Sequence, residues 1–271
     1  MRRLAWAVAL SLALATPAAA ASVDGLEIHS TVHGTGERTV IFVHGWTCDE
    51  SSWAAQVPAF AGDYRVVTLD LPGHGKSDVP APEAFSMDLF ARAVEAVREE
   101  VGADKAVLVG HSMGAVVIRE YALDYPEHVA GLVAVDGPLD VRSFADFPGF
   151  GPLTPDARKQ MVESMFAPAT SPELREAISA MMLAAPEATV VGAGRAMFDP
   201  VLQEQANATI AVPALSVFAG GPGFGKSDAT REVLPDWTSE TYDANGHFLM
   251  MEDPARFNAA LRAFLEQRAR F

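Results

Sequence analysis

Five short apolar runs, separated by segments of helical pattern, most constrain how this chain can fold. The runs are rich in β-branched residues and end in glycine, aspartate, histidine or serine; they lie at 38–45, 64–70, 105–112, 129–137 and 213–220. Runs that are apolar throughout are typical of strands buried on both faces of a parallel sheet. Because such runs alternate with helical patterns, the sequence predicts an α/β fold with a mostly parallel sheet.

The helical segments carry their own start and stop residues. Apolar residues recur on one helix face over 86–102, and Ser86 and Gly102 are the predicted N-cap and C-terminal stop. A second helix is expected over 114–126, ending at Pro126, and the last helix should begin at Pro254. The opening stretch, 23–34, is interpreted as an antiparallel piece at the sheet edge.

One interval breaks the alternation of strands and helices. Residues 138–211 contain apolar helical fragments punctuated by proline and glycine, without a strand pattern. We interpret 138–211 as a helical cap inserted over one end of the sheet. The core of the fold is then built from 22–137 and 212–271.

The N-terminus has the three parts of a secretory signal peptide. Arg2 and Arg3 precede the apolar run Leu4 to Ala15, and an alanine-rich cleavage region follows. We predict that 1–21 is removed, that the protein is secreted or periplasmic, and that it has no stable membrane insertion afterwards. A retained N-terminal anchor is the alternative. The mass of the exported protein would decide, with a mature start near residue 21 or 22 expected.

Charge and cysteine content exclude further classes. The formal net charge is −15, whereas a nucleic-acid partner requires a basic face, so no nucleic-acid binding is expected. Cys48 is the single cysteine, which rules out an internal disulfide. We interpret Cys48 as a small, partly buried side chain rather than a reactive thiol.

The sequence GHSMG at 110–114 carries the main chemical signal. It has the form G-x-S-x-G and lies directly after a predicted strand and before a predicted helix. In that context the serine sits on a sharp turn, a nucleophile elbow, with its hydroxyl exposed at the carboxyl end of the sheet. Ser112 is therefore the candidate nucleophile.

A serine hydroxyl needs a general base and, for acyl transfer, donors to the developing oxyanion. His247 is the candidate base, because it alone of the seven histidines lies in the second half of the chain, just before the last helix. The backbone N–H of Met113, directly after the serine, is one expected oxyanion donor. The other is the N–H of Trp46, in the loop after the run at 38–45.

The chain resembles the α/β-hydrolase fold family in four motifs that occur in the family's order: HGW at 44–46, DLPGHGKS at 70–77, GHSMG at 110–114 and GHFLMMEDP at 246–254. The resemblance covers essentially the whole mature chain. It implies an eight-stranded sheet, a helical cap after the sixth strand, and hydrolysis of esters or similar acyl compounds without a cofactor. Relatives that open epoxides or remove halogen carry aspartate at the position of Ser112, so this chain resembles the serine branch.

The resemblance leaves the acid of a Ser-His-Asp triad open. Many members carry it after the seventh strand, where this chain has Gly223, and others carry it at the end of the sixth strand, where this chain has Asp136. Asp136 is therefore the predicted acid. Asp140 and Asp228 are the alternatives.

A second motif points to a different chemistry. Residues 220–227 match G-x-x-x-x-G-K-[ST], the pattern of a phosphate-binding P-loop. A P-loop needs a long helix that starts at the lysine, but Pro235 leaves room for barely two turns here. We therefore predict no nucleotide binding and a Gly-rich loop after the strand at 213–220.

These observations favour a secreted serine hydrolase that cleaves a carboxylic ester or related acyl compound through Ser112, His247 and Asp136. Two alternatives remain open: a serine-dependent carbon–carbon bond hydrolase or lactonase with the same residues, and a non-catalytic ligand-binding protein on the same fold. The expected partner is a small acyl substrate, and neither a cofactor nor a metal is expected.

Overall fold

A computed structural model describes residues 20–145, 147, 149–150, 153–220 and 226–271. Most of the predicted signal peptide, 1–19, lies outside the described residues, as does 221–225 of the Gly-rich loop with Gly223. The described strands are β1 Ser22–Val23, β2 Leu26–Glu27, β3 Ser30–His33, β4 Thr39–Val43, β5 Arg65–Leu69, β6 Ala106–His111, β7 Val129–Val135, β8 Ala214–Ala219 and β9 Trp237–Tyr242. The helices are α1 Val57–Phe60, α2 Met87–Glu100, α3 Met113–Asp124, α4 Pro155–Ser164, α5 Pro172–Ala184, α6 Glu187–Met197, α7 Leu249–Glu252 and α8 Pro254–Gln267.

The main sheet has the strand order β3-β5-β4-β6-β7-β8-β9. All neighbouring strands are parallel except β3, which pairs antiparallel with β5 at one edge. Strands β4, β6 and β7 are buried at every residue, as expected for a parallel sheet covered on both faces. The predicted α/β class and the antiparallel edge are confirmed.

The expectation of eight strands is wrong for the described residues, because the main sheet has seven. Strands β1 and β2 pair with each other and form a separate hairpin. Asp24 and Gly25 at its turn have φ angles of 52° and 81°, which fold the chain back before a longer strand can form. The strand before the helical insertion, β7, is therefore the fifth of the main sheet rather than the sixth.

The predicted helix ends agree with the structure. The side chain of Ser86 accepts a hydrogen bond from the backbone N–H of Leu89 at the start of α2, and Gly102 follows that helix with φ 63°. Helix α3 ends at Asp124, before Pro126, and α8 begins at Pro254. In these segments local sequence and tertiary fold agree, because caps satisfy backbone groups that a helix leaves unpaired.

The described part of 138–211 contains helices α4, α5 and α6 and two short 3-10 helices, with no strand. We call this segment the cap. Thr154 and Ser171 cap α4 and α5 with their side chains, and proline follows each at the first helical position. Among the described residues no single helix is long and apolar enough to cross a membrane, although the bent pair Pro172–Ala184 and Glu187–Gln203 passes by length and composition.

Helix α3 starts in direct contact with two strands of the sheet, and glycines make this contact possible. A Cβ atom on Gly110 would lie 2.3 Å from the carbonyl oxygen of Gly114, and one on Gly114 would lie 2.4 Å from that of Val43. Both distances are far below van der Waals contact. The two glycines of G-x-S-x-G therefore set how closely the helix packs on the sheet.

We expect Gly110→Ala to lower the free energy of unfolding by roughly 1–3 kcal/mol or more, because backbone atoms must shift to admit the methyl group. Gly62→Ala is the matched control, since a Cβ at that position has nothing within 4 Å and should change stability by less than about 0.5 kcal/mol. Urea denaturation measures both variants. Equal unfolding midpoints for the two would contradict the packing argument.

Candidate active site

The site is built on the turn between β6 and α3. Ser112 occupies this turn with φ 52° and ψ −116°, a conformation that costs a residue with a side chain on the order of 1–3 kcal/mol. Its backbone N–H donates a hydrogen bond of 2.9 Å to the carbonyl of Val135 in β7. The sheet therefore holds the serine in a strained position between a strand and a helix, as G-x-S-x-G predicts.

The exit of β7 passes directly against this turn. A Cβ on Gly137 would lie 2.4 Å from the carbonyl oxygen of Ser112, so the chain can approach only because residue 137 is glycine. Asp136, just before it, has φ 43°, and its backbone N–H donates to the carbonyl of Val217 in β8. This geometry places the Asp136 carboxylate at the same sheet edge as the serine.

Asp136 and His247 are joined by a short hydrogen bond. His247 Nδ1 lies 2.6 Å from Asp136 Oδ2, and the N–H of Ala219 donates to Oδ1 at 2.8 Å. Burial by itself would raise the pKa of the Asp136 carboxyl, but the hydrogen bonds and the charge interaction with His247 bring that pKa below its ordinary value. An ionised Asp136 accepts from Nδ1–H, which leaves Nε2 of His247 as the ring's proton acceptor.

The other two candidate acids have different roles. Asp140 accepts two hydrogen bonds from the Arg142 guanidinium, at 2.9 and 2.8 Å, and caps a 3-10 helix. Asp228 is exposed at the start of a 3-10 helix, Asp228–Glu232. Within the described part of the chain, the carboxylate hydrogen-bonded to His247 is that of Asp136.

The backbone of His247 is held from two directions. Its N–H donates 2.8 Å to the carbonyl of Met165 in the cap, and its carbonyl accepts from Nε2 of His111 at 2.9 Å. Burial, with the neighbouring His247, lowers the pKa of His111 to about 3, so this ring is neutral at pH 7. The hydrogen-bond partner of His111 is thus the backbone of the candidate base.

Glu252 also contacts the His247 loop, and sequence reasoning missed it. Its Oε2 accepts from the N–H of Gly246 at 2.6 Å, and its Oε1 accepts from the Thr170 hydroxyl at 2.6 Å. The carboxylate therefore connects the cap to the residue before His247. The available signal was an acid five residues after the histidine in GHFLMMEDP, directly before the last helix.

The loop that contains Trp46 lies against the serine. A Cβ on Gly45 would be 3.2 Å from the Ser112 Cβ. His44 Nδ1 lies 2.8 Å from the Gly45 carbonyl oxygen, and His44 Nε2 accepts from the Leu71 N–H at 3.0 Å, so Nδ1 carries the proton and donates. In a planar trans peptide, holding the Gly45 carbonyl also fixes the Trp46 N–H in the opposite direction.

A small cavity brings these groups together. Its volume is about 30 Å³, and Ser112, His247, Trp46 and Cys48 line it with Phe150 and three methionines of the cap, Met165, Met182 and Met197. Met113 directly follows Ser112 as the first residue of α3, where a helix leaves its N–H groups unpaired. Burial raises the pKa of the Cys48 thiol to about 12, so this side chain is protonated. A protonated, buried thiol agrees with the interpretation of Cys48 as unreactive.

Two further groups of residues have partners within the protein. Lys226 donates to the carbonyl of Ala219 and is followed by a five-residue 3-10 helix, whereas a P-loop lysine begins a long helix. The side chains of His29, Glu50 and Asp70 are close enough to share a metal ion. However, the Lys76 ammonium lies 2.9 Å from Glu50 Oε1 and supplies the positive charge there.

The geometry of this site agrees with the protein family and the relatives that the chain resembles. A family model described as the alpha/beta hydrolase fold matches residues 38–182, more than half of the chain. The chain belongs to this family. This α/β-hydrolase is also 31% identical to the dihydrolipoyllysine-residue acetyltransferase component of the acetoin cleaving system of Cupriavidus necator. The alignment of 273 residues covers 90% of this chain and 68% of that protein.

Two other similarities span different lengths. The 2-hydroxy-6-oxononadienedioate/2-hydroxy-6-oxononatrienedioate hydrolase of Paraburkholderia phymatum is 40% identical over 116 residues, which cover 41% of this α/β-hydrolase and 40% of that protein. A solved thermophilic esterase from Thermogutta terrifontis has a TM-score of 0.77 and 26% identity, covering 92% of this chain and 96% of that one. The family model and these relatives together support the conclusion that the protein is a hydrolase.

The buried histidines predict how stability depends on pH. Burial lowers the pKa of His44, and it lowers those of His74 and His111 to about 3. Below pH 6.5 the unfolded chain binds protons at these imidazoles while the folded protein does not, so stability should fall as pH falls toward about 3. Each histidine adds up to about 1.4 kcal/mol per pH unit.

The free energy of unfolding should fall less steeply in His74→Gln than in the unsubstituted protein when the pH is lowered from 6.5 to 5. The difference in slope should approach about 1.4 kcal/mol per pH unit near pH 5. Urea denaturation of the α/β-hydrolase and its variant at several pH values measures the difference, and the contributions of groups that do not interact with His74 cancel. The same slope in both proteins would contradict burial of a neutral His74.

Proposed function

We propose that this α/β-hydrolase is a serine hydrolase that cleaves a carboxylic ester through a triad of Ser112, His247 and Asp136. The observation that carries the proposal is the 2.6 Å hydrogen bond between Asp136 and His247, whose ring lines the same small cavity as the strained serine. A neutral imidazole that donates from Nδ1 to a carboxylate is oriented to accept a proton at Nε2.

In the first half of the reaction, Ser112 Oγ attacks the ester carbonyl carbon and its proton passes to Nε2 of His247. The tetrahedral intermediate then collapses, the bond from carbon to the alcohol oxygen breaks, and His247 returns the proton to the leaving alcohol. In the second half, water replaces the alcohol. It gives a proton to His247 as it attacks the acyl-enzyme, and the acid leaves as Ser112 regains its proton.

Two backbone N–H groups are suited to the negative oxygen of the intermediate. That of Met113 is at the unpaired start of α3, where the helix dipole also favours negative charge. That of Trp46 belongs to the peptide that His44 fixes from its carbonyl side. The neutral state of His44 suits this role, because it leaves one ring nitrogen to donate and one to accept.

The relatives support a hydrolase, and two of them bear on which bond this proposal has the enzyme cleave. The solved esterase resembles this chain along almost its whole length. The partial similarity to the Paraburkholderia hydrolase favours cleavage of a carbon–carbon bond as a second candidate, with the same serine and histidine. We further propose that the enzyme acts after export, on the basis of its N-terminal sequence, and that it needs neither nucleotide nor cofactor.

A fluorophosphonate should label Ser112 covalently, because such reagents react with a serine activated by a base beside oxyanion donors. Peptide mapping by mass spectrometry locates the adduct, and p-nitrophenyl acetate hydrolysis should stop in parallel. Ser112→Ala should give neither adduct nor hydrolysis. A folded protein that is labelled at another serine, or not at all, would refute the assignment. Rapid turnover of a vinylogous 1,5-diketone but no ester would favour the second candidate.

Asp136→Asn should lower kcat for the same ester by roughly three to four orders of magnitude, because an amide in place of the carboxylate favours the wrong histidine tautomer. Asp228→Asn is the matched control, an exposed aspartate to which we assign no role, and it should retain normal kcat. Circular dichroism checks that both variants are folded. Near-normal turnover in Asp136→Asn with loss in Asp228→Asn would move the acid to the Gly-rich loop.

A further inference from the structure

The cavity at Ser112 is too small for a substrate. Its volume of about 30 Å³ leaves room for only about two water molecules. An ester carbonyl with groups on both sides needs several times this space. At least one wall of the cavity must therefore move when a substrate reaches the serine.

A much larger cavity lies on the other side of one wall residue. It has a volume of about 670 Å³, within the range of roughly 300–1,000 Å³ that small-molecule sites occupy. Phe150 lines both cavities. We call the larger one the cap pocket; its other main lining residues are Leu153, Val190, Val191, Arg195 and Phe198.

The wall between the two cavities has one fixed and one less constrained ring. Trp46 is buried, and its indole N–H donates to the carbonyl of Val190 at 3.1 Å. Phe150 is half-buried and meets Trp46 and Phe198 at ring-centroid distances of 5.3 and 5.1 Å. Gly194 of α6 lies against the same wall, where a Cβ atom would be 3.4 Å from the Trp46 indole nitrogen and 3.7 Å from the Phe150 ring.

The position of His247 indicates which part of a substrate the cap pocket would take. The leaving alcohol must lie beside His247, which gives it a proton. A separate cavity of about 560 Å³, lined by Asp136, Met165 and His247, is on that side. The cap pocket instead meets the serine cavity at Phe150, which packs on Trp46. With the leaving alcohol placed beside His247, this second cavity is available to the acyl group.

We propose that the cap pocket binds the acyl group of the substrate, that this group is uncharged and apolar, and that Phe150 swings aside to admit it. This inference rests on the proposed ester hydrolysis for its orientation. Most of the lining is aliphatic or aromatic, and its two charged residues, Arg195 and Glu187, are exposed. An alkyl chain or a phenylalkyl group matches such a surface, because burial of each methylene is favourable.

Two variants should change acyl-chain preference in opposite directions. Val191 lines the cap pocket and is 59% exposed, so Val191→Trp should fill the pocket without disturbing the core. We expect it to lower the ratio of kcat/KM for p-nitrophenyl octanoate over acetate by at least about tenfold. Phe150→Ala should raise the same ratio by joining the two cavities. Val201→Trp, at a valine that is 54% exposed and does not line the pocket, should leave it unchanged.

A ratio within about twofold of the unsubstituted enzyme in Val191→Trp overturns the pocket assignment, and an unchanged ratio in Phe150→Ala overturns the role of Phe150. Calorimetric titration of octanoate into Ser112→Ala separates this inference from the proposed function. Binding that is lost in Ser112→Ala/Val191→Trp supports the pocket even if no ester is hydrolysed. Ester hydrolysis without such binding supports the function and overturns the pocket.

Discussion

The hydrogen bond between Asp136 and His247 joins two parts of the chain that are 111 residues apart. It can form because β7, β8 and β9 are successive parallel neighbours in the sheet and end at the same edge, with Asp136 following β7 and His247 following β9. The cap is inserted between β7 and β8, so the whole insertion must fold without separating these two strands. The second carboxylate oxygen of Asp136 accepts from Ala219 at the end of β8, which fixes the acid to the neighbouring strand and directs its other oxygen to the histidine.

The histidine depends on the cap as well as on the sheet. Its backbone N–H is bonded to Met165, and Glu252 links the preceding Gly246 to Thr170. Arg175 of α5 donates to the carbonyls of Ala167 and Thr170 and lies over the Phe166 ring, 5.1 Å from its centroid, which holds this cap segment in place. A displacement of residues 165–170 would therefore move the backbone of His247, so the cap positions the candidate base in addition to covering Ser112.

Neutral histidines hold backbone carbonyls around the site. His44 and His111 are buried rings of lowered pKa, and each has one nitrogen bonded to a backbone carbonyl of the site. A charged residue could not replace them at low cost, because burial of a charge without a partner is expensive. His247 differs from His44 and His111 in this respect, because its ring is paired with a carboxylate, that of Asp136.

The sequence by itself indicated the five buried strands β4 to β8 and the helices α2, α3 and α8, because each β-branched apolar run and each capped helix is a local pattern; it did not indicate the range of β9, which is mostly polar. It also indicated Ser112 and His247, since G-x-S-x-G between strand and helix has a mechanical meaning that does not depend on distant contacts. Asp136 could be named only with alternatives: three aspartates lay near the expected sheet edge in sequence, and only the tertiary structure shows which carboxylate meets the histidine. Glu252 and Phe150 were not identified from the sequence, because their partners Thr170 and Trp46 lie 82 and about 100 residues away along the chain. The strand count was wrong for a different reason: eight strands were implied by the family resemblance, whereas Asp24 and Gly25 turn this chain so that β1 pairs with β2 rather than with the main sheet.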